Sequence, residues 1–325
     1  MSLGRAVRIS LALALLAAPG AAQTLADLRD QLRGALGNAR QTAFLAGLVD
    51  LGESRGLSGG QLRVQGDPEL DLTLFKLPAQ RELPLGDGLP ELHLEGGVGY
   101  LEARAEFADI FGGGLPGLET AVRSRWTGYS VYSGVGPRFD LGAGLHVTPL
   151  VDISLSYVEN VGLYSGPGTP LASALFNGLL FNWHAASVAY GGALRLEHDA
   201  DLGDELKLAS RLRYDLRQFE GITSTDPAQD GDDELQRVVA RSELSGPFGF
   251  ALGGQPVGWA THLAYVRFVG SSSDILGFRD YVELGGTIRW PLPAGTPLFG
   301  GVSLAAALLW GEDVRGWNAG VALSF

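Results

Sequence analysis

The residues that could carry chemistry are few. There are five histidines (His93, His146, His184, His198 and His262), no cysteine, and arginines and acids scattered along a 325-residue chain. No two histidines stand four apart, as helical zinc ligands do, and no HExxH occurs. Without cysteine there is no thiolate metal site, no thiol nucleophile and no disulfide framework. His198-Asp199, with Asp201 and Asp204 close by, is the densest cluster. A neighbouring Asp and His can activate water, but a short solvated acidic turn accounts for the same residues and is the reading adopted. GxSxG is absent, and neither Gly112-Gly113-Gly114 nor Gly253-Gly254 leads into the GK[ST] of a phosphate loop. The expectation is no catalytic residue, no metal and no cofactor. A hydrolase is the least favoured function.

The elements that hold these residues announce themselves by a period of two. Over Glu205–Arg217, Leu206, Leu208, Leu212, Tyr214 and Leu216 share one parity, and Lys207, Arg211, Arg213, Asp215 and Arg217 share the other. On a helix these charges would scatter; on a strand they occupy one face. Val151, Ile153, Leu155 and Tyr157 alternate with Asp152, Ser154 and Ser156. The last segment sets Trp317, Ala319, Val321, Leu323 and Phe325 against small and polar residues. Such segments number about twelve: 69–77, 91–107, 118–132, 136–147, 150–159, 181–198, 204–218, 234–244, 257–268, 278–290, 298–310 and 315–325. Near Tyr100–Leu101 and Thr127–Gly128 the parity slips, which predicts bulges or strand ends.

The N-terminus follows other rules. Arg5 and Arg8 precede an apolar stretch, Ile9 to Ala18, too short to span a bilayer. Pro19 and Gly20 break it, and Gly20-Ala21-Ala22 supplies the small residues of a peptidase site. Residues 1–22 thus read as a signal peptide, cleaved after Ala22. Residues 23–56 read as a helical segment: Thr24 and Asp27 have capping-box spacing, and Leu25, Leu28, Leu32 and Leu36 form one stripe opposite Asp27, Arg29, Asp30 and Arg33. Residues 57–325 form the β domain. The 48 glycines of the whole chain and its low charge, 18%, suit strands and tight turns. A net charge of −12 argues against nucleic acid as a partner.

No run approaches the ~20 apolar residues of a membrane helix, but most alternating segments reach the length of a tilted membrane strand. The connections at Thr148-Pro149, Asp199–Gly203 and Pro291–Pro297 are short, whereas Asn160–Leu180 and Phe219–Asp233 are long, the pattern of a bacterial barrel with its C-terminus inside. Ser245–Pro256, long for an inner turn, and Ser133–Gly134, short for an outer loop, fit less well. Trp126, Tyr157, Trp259, Trp290, Trp310, Trp317 and Phe325 fall near segment ends, where aromatic girdles lie. The fold class is therefore all-β: a transmembrane antiparallel up-and-down β-barrel of about twelve strands with a short N-terminal helix, monomeric, in the bacterial outer membrane and in contact with its lipid. By parity the lumen receives Arg123, Arg125, Arg195, Arg211, Arg213, Arg217, Arg237, Arg241 and Arg289 with Glu95, Glu243 and Glu283. These make either an electrostatic filter or a salt-bridge network filling a narrow barrel.

The final strand, Val314 to Phe325, resembles the terminal signature of outer-membrane proteins, in which alternating apolar residues end on Phe. That resemblance makes Phe325 an assembly signal read by the barrel-assembly machinery. A short helix, about twelve strands and a terminal Phe over residues 24–325 resemble the translocator domain of autotransporters, here without a passenger. It implies a small pore or translocator-like barrel plugged by its N-terminal helix. The competing expectation is a structural or surface-binding protein that uses acidic outer loops such as Thr223–Asp233.

Overall fold

Three tight turns set the register of the sheet. Ala143-Gly144, Asp204-Glu205 and Gly253-Gly254 each place both central residues at positive φ, the geometry whose twist matches that of the flanking strands. Each turn joins two long strands, whose pairing shifts register beside the turns, at Asp140/Gly142, Asp201/Gly203 and Pro247/Ala251, and once more at Ala186/Ser187.

The structure is a computed structural model that describes residues 24–36, 57–66, 68–86, 88–111, 114–229, 233–270, 278–292 and 300–324. A helix, α1 (Leu25–Leu36), precedes twelve strands: β1 (Leu57–Val64), β2 (Leu70–Leu83), β3 (Glu91–Phe107), β4 (Ala121–Gly142), β5 (Leu145–Ser165), β6 (Trp183–Gly203), β7 (Leu206–Ser224), β8 (Asp233–Leu252), β9 (Gln255–Val269), β10 (Asp280–Pro291), β11 (Gly301–Trp310) and β12 (Val314–Ser324). A second helix, α2 (Thr169–Phe176), lies between β5 and β6. Each strand pairs antiparallel with the next, and β1 pairs with β12 from Leu57↔Val321 to Val64↔Val314, closing the barrel. Closure leaves no free edge, which a spanning sheet requires.

The expected strand number is met, but partly by compensation. β1 was not among the predicted segments, because Gly59-Gly60 and Arg63 hide its alternation. The stretch read as three segments, 118–132, 136–147 and 150–159, is two strands. Ser133–Gly134 and Thr148-Pro149, expected as turns, lie inside β4 and β5. The residues there are special for packing: a Cβ on Gly136 would stand 1.8 Å from the carbonyl oxygen of Pro149. Ser245–Pro256, expected as a long loop, is mostly strand, and its turn is only Gly253-Gly254.

The outward face divides at one boundary around the perimeter. Along β4, Tyr129, Val131, Val135 and Phe139 point outward, and above them Arg125 and Arg123 do. The ten residue steps from Tyr129 to Phe139, tilted as barrel strands are, rise about 25 Å, the height of an outer-membrane apolar band. Phe75, Tyr157, Tyr214, Tyr265, Trp310 and Trp317 mark the same edge on other strands. The tyrosine hydroxyls there reach polar neighbours: Tyr100 donates to Glu102 (3.2 Å), Tyr214 to Gln236 (2.9 Å) and Tyr265 to Asp280 (3.1 Å). A second edge carries Trp259 and Trp290, whose indoles donate to the carbonyls of Pro247 and Leu252. These are two girdles at the lipid–water boundaries.

Trp126, expected in a girdle, is instead buried inside. The parity slips at Tyr100–Leu101 and Thr127–Gly128 are not bulges, since β3 and β4 pair without a break from Glu91↔Arg138 to Phe107↔Val122. What changes there is the surroundings. Beyond the girdle the strands leave the bilayer, water bathes the outside, and the apolar parity turns inward to a core of Leu72, Leu101, Trp126, Val158, Trp183, Phe219 and Phe268.

Candidate functional site

Two arrangements inside the barrel could carry function: a charged lumen within the membrane and a lid over its outer mouth.

The charged lumen begins with glycines. In one hydrogen-bonded row Glu95 on β3 pairs with Gly134 on β4, Gly134 with Asp152 on β5, Asp152 with Gly191 on β6, and Gly191 with Arg217 on β7. A Cβ on Gly134 would meet Glu95 at 3.1 Å and Asp152 at 3.3 Å. Its absence leaves room for long side chains to arrive from across the lumen. Arg213 grips Glu95 with both terminal nitrogens, at 2.9 and 2.7 Å, while its Nε donates to Asp215 at 2.7 Å. Arg237 takes the other oxygen of Asp215 at 2.9 Å, and Arg217 donates to Asp152 at 2.8 Å. Arg195, 1% exposed, lies 3.2 Å from both ring nitrogens of His93 and 3.3 Å from Glu197, which also receives Arg211 at 3.0 Å. On the other wall His262 lies 2.8 Å from Glu283, Arg241 pairs with Glu243 at 3.1 Å, and Arg289 also contacts Glu243.

Ten of the expected lumen residues thus lie inside: Arg195, Arg211, Arg213, Arg217, Arg237, Arg241, Arg289, Glu95, Glu243 and Glu283. Arg123 and Arg125 do not. Both are exposed on the outer face while Val122, Ser124 and Trp126 point in. The expectation assumed that polar parity faces inward throughout, and these two residues stand above the girdle, where that rule reverses. His93 and His262 were not foreseen as lumen residues; each meets a lumen acid, Glu95 and Glu283 being two and twenty-one positions on, and only the former shares the strand and parity of its histidine. Phe325 lies outside the described residues, as do residues 1–22, expected as a signal peptide, and residues 230–232 of the acidic loop. Among the described residues no group of His, Asp or Glu is disposed to hold a metal ion.

The lid is built from α1 and three loops. Thr24 caps α1: its Oγ1 accepts from the Asp27 amide (3.2 Å), and its own amide and hydroxyl donate to the Asp27 carboxylate (2.8 and 2.7 Å). Those donors hold the Asp27 carboxyl below its ordinary pKa. Leu28 and Leu32 enter a cluster with Ile110 and Phe111 of the β3–β4 loop and with Ala172, Leu175, Phe176, Leu179, Leu180 and Phe181 around α2. The leucine stripe therefore finds an apolar seat, although Leu25 stays exposed. Arg29 donates to the carbonyls of Ala174 (2.8 Å), Leu175 (3.1 Å) and Asn177 (3.0 Å), satisfying the C-terminal end of α2. Arg33 binds Asp226 in the β7–β8 loop at 2.8 Å, which raises the arginine's pKa. The helix sits over the end of the longer loops, where the β3–β4 and β5–β6 loops offer an apolar surface to Leu28 and Leu32.

The family model described as "Solitary outer membrane autotransporter beta-barrel domain" matches residues 69–324. No curated protein matches the chain. Among solved structures, the transport unit of the autotransporter AIDA-I from Escherichia coli is similar at 12% identity and a TM-score of 0.52, over 90% of this chain and 99% of that one. The translocator domain of NalP from Neisseria meningitidis gives 13% and 0.48, over 91% and 98%. The β domain of the Bordetella autotransporter BrkA gives 12% and 0.46, over 83% and 97%.

Proposed function

Since the chain belongs to the solitary outer-membrane autotransporter β-barrel family, we propose that it is a translocator-type barrel that rests closed and carries its own N-terminal helix as the outer plug. The observation that supports this reading is the position of α1. It docks on the β3–β4, β5–β6 and β7–β8 loops, whereas β1 begins at the opposite, short-turn end. A segment carried outward through the bore from the start of β1 would come to rest at the mouth where α1 docks.

The lumen suits a closed resting state. Glu95–Arg213 and His93–Arg195 join strands that are four and three apart in the wall, so they brace across the bore rather than line it. Lipid-facing apolar strands and internally satisfied charges are what a static outer-membrane barrel needs.

The test uses the absence of cysteine in the native chain. Ala26→Cys, at an exposed position of α1, should react with a membrane-impermeant maleimide on intact cells. Labelling only after lysis would place the helix on the inner side and overturn the reading. In planar bilayers, the mature protein should pass little current and a folded form lacking residues 23–50 should pass more. Equal conductance would show that the segment is not a plug.

A further inference from the structure

The outer face carries a charge pattern that alternation does not explain. Just above the girdle, one hydrogen-bonded row across β12, β1, β2, β3 and β4 reads Arg315, Arg63, Asp71, Arg104, Arg125. All five are exposed on the outward parity. Two of the four pairings set arginine directly opposite arginine, Arg63↔Arg315 and Arg104↔Arg125, and like charges in that position destabilise a sheet. Arg63 is answered by Glu69 (2.7 Å) and Asp71 (3.0 Å), and Arg104 by Glu102 (2.7 Å). The guanidinium groups of Arg125 and Arg315 form no ion pair among the described residues. In an acidic chain, four arginines in one outward row are a local reversal of sign. Elsewhere on the perimeter the residues at this height include Glu220, Glu234 and Asp280.

Directly below the row, a shallow open depression lies between protruding apolar side chains. A groove of about 770 Å³ runs over the outside of β1 to β7, lined by Leu57, Phe75, Val98, Tyr129, Leu155 and Ile222 among others. Tyr100 lies in this groove, within electrostatic reach of Arg125. The groove opens sideways into the apolar band, so what enters it comes from the bilayer. A hydrocarbon chain fits its lining, and a phosphate fits the row, because guanidinium groups bind phosphate oxygens through paired charge-assisted hydrogen bonds. One phosphate between Arg104 and Arg125 would turn their repulsion into two attractions.

We propose that this sector is a specific site for an outer-leaflet lipid that bears both phosphates and several acyl chains, with phosphate on Arg104 and Arg125 and one chain in the groove. The site is independent of the plug. Basic pockets at the level of lipid headgroups are a recognised mode of lipid selection, and the groove distinguishes a bound lipid from a mobile counter-ion.

The full mature protein, delipidated and placed in phosphatidylcholine nanodiscs doped with bisphosphorylated lipid A, tests the site by native mass spectrometry of the released complex. The wild type should retain one lipid A per chain in preference to phosphatidylcholine. R104Q/R125Q should lower retention at least tenfold, and R267Q, on the outward face of β9, should not. Val131→Trp, which fills the groove, should also weaken retention. With wild-type protein, dephosphorylated lipid A should bind no better than phosphatidylcholine, and the deacylated bisphosphorylated disaccharide should not bind. Equal retention with and without phosphates overturns the proposal, as does equal retention by wild type and R104Q/R125Q. Tight binding of the deacylated sugar would overturn the groove's part in it. The wild-type comparisons decide the matter even if the double variant fails to fold.

Discussion

Arg213 on β7 reaches across the lumen to Glu95 on β3, and its two terminal nitrogens donate to the two carboxylate oxygens at 2.9 and 2.7 Å. Both side chains are almost fully buried, 9% and 3% exposed. The pair is a tie between opposite walls, and its strength lies less in attraction than in what its loss would strand. Glu95→Ala should cost about 3 kcal/mol, because the arginine is left desolvated without the carboxylate that its two terminal nitrogens grip. Replacing both partners, Glu95→Met with Arg213→Met, should recover much of that loss. Urea unfolding in detergent measures both; a double variant less stable than Glu95→Ala would contradict the argument.

The Arg33–Asp226 contact couples α1 to the β7–β8 loop. Arg33 is more than a third exposed, so the pair should contribute no more than about 1 kcal/mol to docking. Arg33→Gln and Asp226→Asn should each raise amide exchange along α1, and the double variant should be no worse than either single one. Additive effects would mean that the two residues act separately.

Asp27 gives α1 a pH dependence of known sign. Its carboxyl is held below the ordinary value of 3.8 by the amide and hydroxyl of Thr24. A depressed folded pKa gives a contribution that is present above the unfolded value and lost as pH falls through the folded one. The first turn of α1 should therefore fray in acid, visible in backbone chemical shifts below pH 4. Asp27→Asn should remove that response. Undiminished acid fraying in the variant would assign the change to another group.

Strand β7 offers a paired test of the membrane boundary. Leu212 faces lipid, and Ala209, on the other parity, pairs with Glu243, which faces the lumen. Leu212→Arg should cost roughly 2–4 kcal/mol if the site lies deep in the bilayer. Ala209→Arg should be milder, since it meets a lumen carboxylate. Equal destabilisation, read from the heat-modified gel shift, would count against the assignment of faces.

Phe325 is proposed as the recognition end for the barrel-assembly machinery, on the strength of its terminal place in an alternating strand. Its deletion should lower the yield of folded barrel in the outer membrane severalfold while leaving refolding in detergent unchanged. Normal membrane yield would remove the assembly role.

Alternation by itself determined that this chain is a sheet of long antiparallel strands, and the capping pair and leucine stripe determined α1, because both are properties of a few consecutive residues. The lumen charges on β7, from Arg211 to Arg217, were readable for the same reason: within the bilayer band, lipid outside forces polar parity inward. What lay beyond local sequence was where that rule stops. Arg123 and Arg125 have the alternation of lumen residues, yet they face out, because β4 extends past the girdle into water and its inner face becomes an apolar core. Only closure of the barrel fixes which residues stand opposite one another. It sets Glu95 against Arg213, 118 positions away, brings Arg315 beside Arg63, and places the seat for Leu28 and Leu32 on loops more than seventy residues downstream. The partners of a strand residue are decided by register and curvature around the whole wall, and no window of sequence contains them.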